Sequence, residues 1–293
     1  FFVLGHDRLE PGARGDVHLL AGRQPDRAGH LVQPGAVIEN VRVAGFRRIA
    51  RDGTREKQQG MGRQPVGFDR KAARPPDVEA NGVAGNTVFI FTTDNGPWLN
   101  YGNHAGSSGG LREGKTTSWD GGQRVPFIVK WPAQIPTGTI SNELGCAIDI
   151  LPSFAEIAGA DLPDLKIDGT SLVELWKGET VKSPRETILF YYGKNNLNGV
   201  RKGNWKLVLP HTWRSYHAKP GTDGHGGPRV AMTVEKPELY NMMRDPGEEY
   251  NVIEYHPEKA AELMGIVEAA RKELGDLNVG IEKGLGTREI GRK

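Results

Sequence analysis

Cysteine is nearly absent. Cys146 is the only one in 293 residues, which excludes an internal disulfide and leaves the redox compartment unread. Long apolar runs are missing as well, none approaching the roughly 18 residues that a membrane-spanning helix needs. Net charge is small too, 38 Lys and Arg against 36 Asp and Glu. The formal net charge of +2 is too small to argue for nucleic acid or a membrane surface as a partner. The chain starts at Phe1 with no initiator Met and no signal-peptide pattern, so it is expected to be a piece of something longer. No internal repeat is present. What remains, 37% hydrophobic and 25% charged residues, is the composition of a globular protein of one large or two smaller domains.

Basic residue types invert along the chain. Residues 1–75 hold twelve Arg and two Lys, whereas residues 76–293 hold ten Arg and fourteen Lys. The first segment has short apolar patches but no sustained alternation or helical period, and eight acidic residues argue against a polyanion-binding arm or a transit peptide. Residues 1–76 are therefore expected to be irregular, and out-of-frame or misassembled translation joined near Asp77 would explain them. Arg14-Gly15-Asp16 is an accident of that composition.

The organising stretch is residues 86–132, where two apolar strand-like runs bracket a loop rich in glycine and charge. The first run, residues 87–93, delivers Asp94 and Asn95 at its carboxyl end before Gly96-Pro97 stops it. Open α/β sheets place ligand groups at that end. Downstream, residues 146–158 carry Ile148, Leu151, Ala155 and Ala158 at helical steps, predicting a helix whose buried face includes them. Residues 161–183 are a Pro/Gly-punctuated connection and a domain boundary. A strand at 187–192, a hairpin turning at Gly203-Asn204 and a strand at 238–243 predict an antiparallel unit. Residues 211–228 read as a polar, glycine-rich loop. Pro257 opens a helix whose stripe of Leu263, Ile266, Val267, Ala270 and Leu274 should lie on that small sheet. The tail from Gly280 lacks such a stripe and is expected to be irregular.

Residues 109–116, GGLREGKT, match the phosphate-loop pattern. That loop needs a buried strand directly before it and a helix directly after it. Polar residues precede this one, and Val125-Pro126 would end any helix within about two turns. The nucleotide-binding reading is rejected.

Thr92-Thr93-Asp94-Asn95-Gly96-Pro97, Gly109-Gly110-Leu111-Arg112-Glu113-Gly114-Lys115, Trp119-Asp120-Gly121-Gly122 and Val125-Pro126 together resemble the second signature region of the type I sulfatases, the arylsulfatase family. Further blocks extend the resemblance over about residues 78–293: Ile148 to Pro152, Ile167-Asp168-Gly169, Arg201 to Leu207, and Leu239-Tyr240 followed by Asp245-Pro246-Gly247-Glu248-Glu249. The resemblance implies an alkaline-phosphatase-like α/β fold. Residues 77–183 would be the carboxyl-terminal part of the catalytic domain, and residues 184–293 a smaller domain of antiparallel strands and a helix.

Cleaving a sulfate ester requires a cation and fixed donors around the sulfate. The resemblance implies Ca2+ held in part by Asp94 and Asn95, oxygen donors of the kind calcium takes. It implies that Lys115 contacts the sulfate. His211 is carried as a further catalytic candidate, and His104 and Arg214 as substrate contacts. His104, His211 and Arg214 also fit structural roles, a surface hydrogen bond or a turn. Asp120 would tie the loop together, and Trp98 and Trp119 would pack. Cys146, followed by Ala147-Ile148-Asp149-Ile150, does not fit the family's formylglycine pattern and should lie on a buried helix face.

That signature, the family's amino-terminal metal-binding aspartates and its upstream Lys and His positions have no counterpart in these residues. The expected activity is sulfuric ester hydrolysis inherited by resemblance, with no turnover of an aryl sulfate by this chain alone. Two alternatives stay open: a non-catalytic relic that binds calcium or sulfated glycans, and a phosphate-ester hydrolase of the same superfamily. The partner would be a sulfated small molecule or glycan, and full-length relatives are typically exported or lysosomal. Oligomeric state leaves no trace in the sequence.

Overall fold

The computed structural model describes residues 75–216 and 219–286, with the backbone of three short strands before them: β1 (Phe2–Gly5), β2 (His18–Leu19) and β3 (Val37–Arg42). Arg14-Gly15-Asp16 and most of the segment expected to be irregular lie outside the described residues. Helix α1 (Pro75–Ala80) leads into β4 (Thr87–Phe91). After the glycine-rich loop come a single turn of helix, α2 (Asp120–Gln123), and β5 (Arg124–Lys130). Two-residue strands β6 (Ile140–Ser141) and β7 (Gly145–Cys146) follow, then helices α3 (Ile150–Ala158) and α4 (Val173–Lys177).

These strands make one sheet in the order β2-β1-β4-β5-β3-β6, with β7 also on β3. The two runs that bracket the loop are neighbours, antiparallel with Ile90 opposite Val129. Strand β3 runs parallel to β5, and the pairing slips between Ile38 and Val41. Pro126 falls opposite that irregularity, where the missing N–H of a proline breaks no regular ladder. Alternation puts Val88 and Ile90, and Phe127 and Val129, into one core with Phe154, Leu172, Val173 and Trp176 of the helical layer.

The expected helix face is corrected. Helix α3 starts at Ile150 after a 3-10 turn, Ala147–Asp149, and it buries Pro152, Ser153 and Phe154, with Ile150 and Ile157 against the core. Leu151 and Ile148 are exposed. Cys146 is buried as expected, but on strand β7 rather than on a helix. The reason is a capped turn pinned from outside: Asp149 accepts the Cys146 N–H at 2.8 Å, closing the 3-10 turn, and the Thr170 N–H at 2.9 Å, so the helix begins one turn late and rotated.

The second unit is a four-stranded antiparallel sheet of β8 (Thr187–Tyr192), β9 (Asn196–Lys202), β10 (Trp205–Val208) and β13 (Glu238–Asn241), in the order β13-β10-β9-β8. Helix α5 (Pro257–Leu274) lies on it through Leu263, Val267 and Ala270. Burying each Leu or Val of that stripe contributes about 1.5–3 kcal/mol. Between β10 and β13 the region expected to be loop contains a hairpin, β11 (His211–Ser215) with β12 (Val230–Val234). Its polar and glycine residues form only the long connection. Residues 280–286 carry no regular element beyond one bridge, Asp276 to Ile281. Among the described residues no helix is long and apolar enough to cross a membrane.

Candidate functional site

Strand β4 ends at Phe91, and the chain then turns through Asp94, exposed, and Asn95, half-buried. Thr93 Oγ1 donates to Asp94 Oδ1 at 3.3 Å, a contact that leaves the second carboxylate oxygen open to solvent or a ligand. The turn is seated on the glycine-rich loop by backbone alone. Gly96 N–H donates to the Gly122 carbonyl at 2.9 Å, Lys115 N–H to the Pro97 carbonyl at 2.9 Å, and Gly121 N–H to the Arg112 carbonyl at 2.8 Å. A Cβ on Gly121 would sit 2.0 Å from the Glu113 carbonyl oxygen, and one on Gly122 would sit 2.4 Å from that of Gly114. Three chain passes meet there without side chains between them, which is why glycine occupies these positions. Asp94, Asn95 and Lys115 are thereby gathered at the carboxyl end of β4.

The backbone around Lys115 is held under strain. Glu113 and Thr116 both adopt left-handed conformations, φ 57 and 78°, costing about 1–3 kcal/mol each. Hydrogen bonds lock them: Ser215 Oγ donates to Glu113 Oε1 at 2.6 Å, and Thr117 Oγ1 to the Gly114 carbonyl at 2.8 Å. The Lys115 side chain rises past Trp98, its Nζ 5.9 Å from the ring centre. Trp98 is exposed, edge-on to Tyr101, while Trp119 is fully buried. Residues 109–116 are preceded by no strand and followed by no helix longer than the single turn α2, in keeping with rejection of the phosphate loop.

The histidines part company. His104 is exposed and its Nδ1 lies 3.0 Å from Asn103 Oδ1. Asn103 in turn pairs with Asp223, and the Asn100 carbonyl accepts from Gly221 and Gly227, so the 3-10 segment Leu99–His104 is docked on the connection after β11. His211 is buried between Trp119 and Trp213, ring centres 6.2 and 5.6 Å away. Its Nδ1 lies 2.7 Å from the Leu209 carbonyl oxygen, so that nitrogen carries the proton and donates. Burial pushes its pKa below the usual imidazole value, leaving a neutral ring whose Nε2 is a buried acceptor without a partner among the described residues. Arg214 is exposed. Along β11 His211, Trp213 and Ser215 face inward and Thr212 and Arg214 outward, so His211 and Arg214 occupy opposite faces of one strand.

Asp120 joins the loop to the small sheet rather than only to itself. It is fully buried, with Oδ1 2.8 Å from Lys206 Nζ and Oδ2 3.3 Å from Arg201. Lys206 also forms an ion pair with Glu248, N to O 2.7 Å, and Glu248 Oε2 accepts the Asp120 N–H at 2.7 Å. Burial pushes the Glu248 carboxyl up to about 7, and it lowers the Arg201 guanidinium to about 10. Arg112 lies over Trp119, its Cζ 3.6 Å from the ring centre, and donates to the Glu248 carbonyl. Sequence reasoning missed Lys206, Arg201 and Glu248 as parts of the site. Their only signal was membership of the hairpin and turn blocks.

Among the described residues, no three His, Cys, Asp or Glu side chains cluster as a metal site. Asp94 and Asn95 are hard oxygen donors of the right type for calcium, but two side chains are fewer than the six to eight ligands it takes. A cleft of about 430 Å3 lies elsewhere, between residues 182–186 and the start of α5, and its basic groups Lys182 and Lys202 are paired with Glu143 and Glu262. The chemistry-bearing loop, not that cleft, is the candidate site.

Comparison with known proteins decides the family. A sulfatase profile matches residues 77–160, and one described as the C-terminal region of aryl-sulfatase matches residues 183–284. Over residues 77–284 the chain belongs to the sulfatase family. Arylsulfatase A of Bos taurus is 38% identical over 191 residues, 64% of this chain and 37% of its own length. Steryl-sulfatase of Mus musculus is 30% identical over 240 residues, 75% of this chain and 36% of its own. The chain thus spans about a third of the length of these curated relatives. A solved structure from work on glycosaminoglycan metabolism by Bacteroides thetaiotaomicron is 28% identical with a TM-score of 0.54, covering 67% of this chain and 41% of that one. A sulfatase from Pseudoalteromonas, 23% identical with a TM-score of 0.56, covers 66% and 38% and shares the fold. The fold is the alkaline-phosphatase-like α/β fold of sulfatases with its small antiparallel domain. Sulfatase family members are generally metal dependent.

Proposed function

We propose that this chain carries part of a site for hydrolysis of sulfate esters. The observation that supports the reading is the backbone packing that brings Lys115 against the turn bearing Asp94 and Asn95. In this reading the Lys115 ammonium pairs with a sulfate oxygen. Asp94 and the Asn95 side-chain carbonyl supply part of the shell of a calcium ion, whose charge would stabilise the sulfate and the leaving oxygen. The left-handed residues flanking Lys115 keep its backbone from relaxing as charge develops, the preorganisation such catalysis needs.

His104 stands at the rim, on a segment held by the connection after β11, where it could meet the alcohol part of a substrate. His211, neutral and enclosed by tryptophans, would act as a fixed hydrogen-bond acceptor rather than as a cation. Arg214, on the opposite face of β11, is a substrate contact only for a group that reaches that outer face. The names of the relatives include arylsulfatase, steryl-sulfatase and N-acetylgalactosamine-6-sulfatase, so the substrate class is a sulfated small molecule or glycan and the alcohol is not narrowed further.

Calorimetry on the purified 293-residue chain tests the reading with calcium chloride and sodium sulfate as probes. Binding of calcium that is lost in Asp94→Asn, together with binding of sulfate that is lost in Lys115→Ala, is the expected result. Because two side chains make an incomplete shell, the calcium affinity should be weak, and no aryl sulfate turnover is expected from this chain alone. Absence of both bindings, or bindings indifferent to both substitutions, would overturn it.

A further inference from the structure

Four ionisable groups sit in the buried interface between the glycine-rich loop and the small sheet: Asp120, Glu248, Arg201 and Lys206, each at most 3% exposed. Two are acids and two are bases, so the cluster is charge-balanced when all are ionised. Its geometry is directional. Lys206 Nζ reaches across from β10 to three oxygens, Asp120 Oδ1 at 2.8 Å, the Ser118 carbonyl at 3.0 Å and Glu248 Oε1 at 2.7 Å, while lying 4.4 Å from the centre of the Phe190 ring. Ser118 and Asp120 belong to the loop three and five residues beyond Lys115. Immediately after Asp120 come Gly121 and Gly122, whose backbone carries the turn at Gly96 and the passes at residues 112–114.

We propose that Lys206 is a positioning residue for Lys115: by gripping Ser118 and Asp120 it makes the small domain the outer wall of the sulfate-binding loop. Buried ion pairs of this kind add little net stability, because desolvation offsets their attraction, but they tolerate few alternative geometries. Residues 106–122 have no apolar side chain besides Leu111 and Trp119, so the placement of this part of the loop depends on those polar contacts and on Trp119 inserted among Val208, Trp213, Tyr240 and Met242. The inference rests on reading Lys115 as the sulfate contact, and its test separates the two.

The test compares the parent chain with Lys206→Met, Lys206→Arg and the charge-balanced Lys206→Met/Glu248→Gln. Two readouts are used: amide hydrogen exchange, and the rate at which an amine-reactive acylating reagent modifies Lys115. In Lys206→Met and in the double variant, amides of residues 112–122 should exchange at least about tenfold faster while those of β9, β10 and α5 keep their protection. Acylation of Lys115 should rise severalfold relative to Lys130, and Lys206→Arg should restore much of both. Unchanged loop exchange and Lys115 reactivity in a folded Lys206→Met or double variant would overturn the proposal. Failure of both to fold would assign Lys206 to global stability and overturn it equally. Sodium sulfate added to the parent tests the underlying reading separately: protection of Lys115 supports a sulfate contact, and its absence removes that reading without touching the exchange result.

Discussion

A side chain on Gly96 would begin 1.8 Å from the carbonyl oxygen of Gly121, so the turn after Asp94 and the turn after Asp120 meet backbone to backbone. That contact allows two segments with few apolar residues to form a rigid corner.

Gly96→Ala should therefore cost about 3 kcal/mol or more, since the obstructing atom is backbone and cannot rotate aside. Gly265→Ala is the control. Gly265 lies exposed inside α5 with nothing within 4 Å of the place an added methyl group would take, so alanine there should stabilise by about 0.5–1 kcal/mol. Urea titration of both variants reads the two signs, and equal midpoints would refute the packing argument.

Arg185, partly buried, pairs with the fully buried Asp149, joining the connection before β8 to the start of α3. Asp149 is fully buried and also accepts the N–H groups of Cys146 and Thr170. Arg185→Met removes its cation and should destabilise by about 3–5 kcal/mol, the range seen when one partner of a buried pair is deleted. A loss below about 1 kcal/mol in chemical denaturation would show that the two N–H donors suffice.

Glu248 gives the fold a pH dependence of definite sign. Burial raises its carboxyl from an ordinary 4.5 to about 7 in the folded state, with Lys206 facing it and opposing the shift, Asp120 adding to it, and Arg112 on its own carbonyl. Between those values the folded chain holds a proton that the unfolded chain has released, so this contribution is fully present below about pH 4.5 and is lost as pH rises through about 7. Melting temperatures of the parent should fall relative to Glu248→Gln between pH 5 and pH 8. A constant gap over that range would contradict the raised carboxyl.

Asp94 is exposed and Lys115 only half-buried, and neither forms an ion pair among the described residues. Asp94→Asn and Lys115→Ala should leave the denaturation midpoint within about 0.5 kcal/mol of the parent while abolishing calcium and sulfate binding respectively. Large losses of stability would assign these residues to the scaffold instead.

Much of the architecture was legible because it is local. Strands β4 and β5 follow from β-branched runs, the β9–β10 hairpin from Gly203-Asn204 between alternating segments, and α5 from a stripe of Leu263, Val267 and Ala270 after Pro257. Hairpin β11–β12 was not legible. Its partners are fifteen or more residues apart and are joined by a polar connection, so no short turn announces them. The face of α3 was misread because Ile148 and Leu151 keep helical spacing with Ala155, yet the Asp149 cap sets the phase that buries Phe154.

For the candidate site, the sequence alone determined which residue types are present: an acid and an amide after a strand, a lysine among glycines, an acidic residue before a glycine pair. Short-range chemistry and chain stiffness suffice for that. Only the tertiary structure decided that Lys206, Arg201 and Glu248, more than 80 residues farther along the chain, close around Asp120, and that His211 and Arg214 face apart. Such contacts arise from burying one sheet against one loop, and no spacing along the chain encodes them.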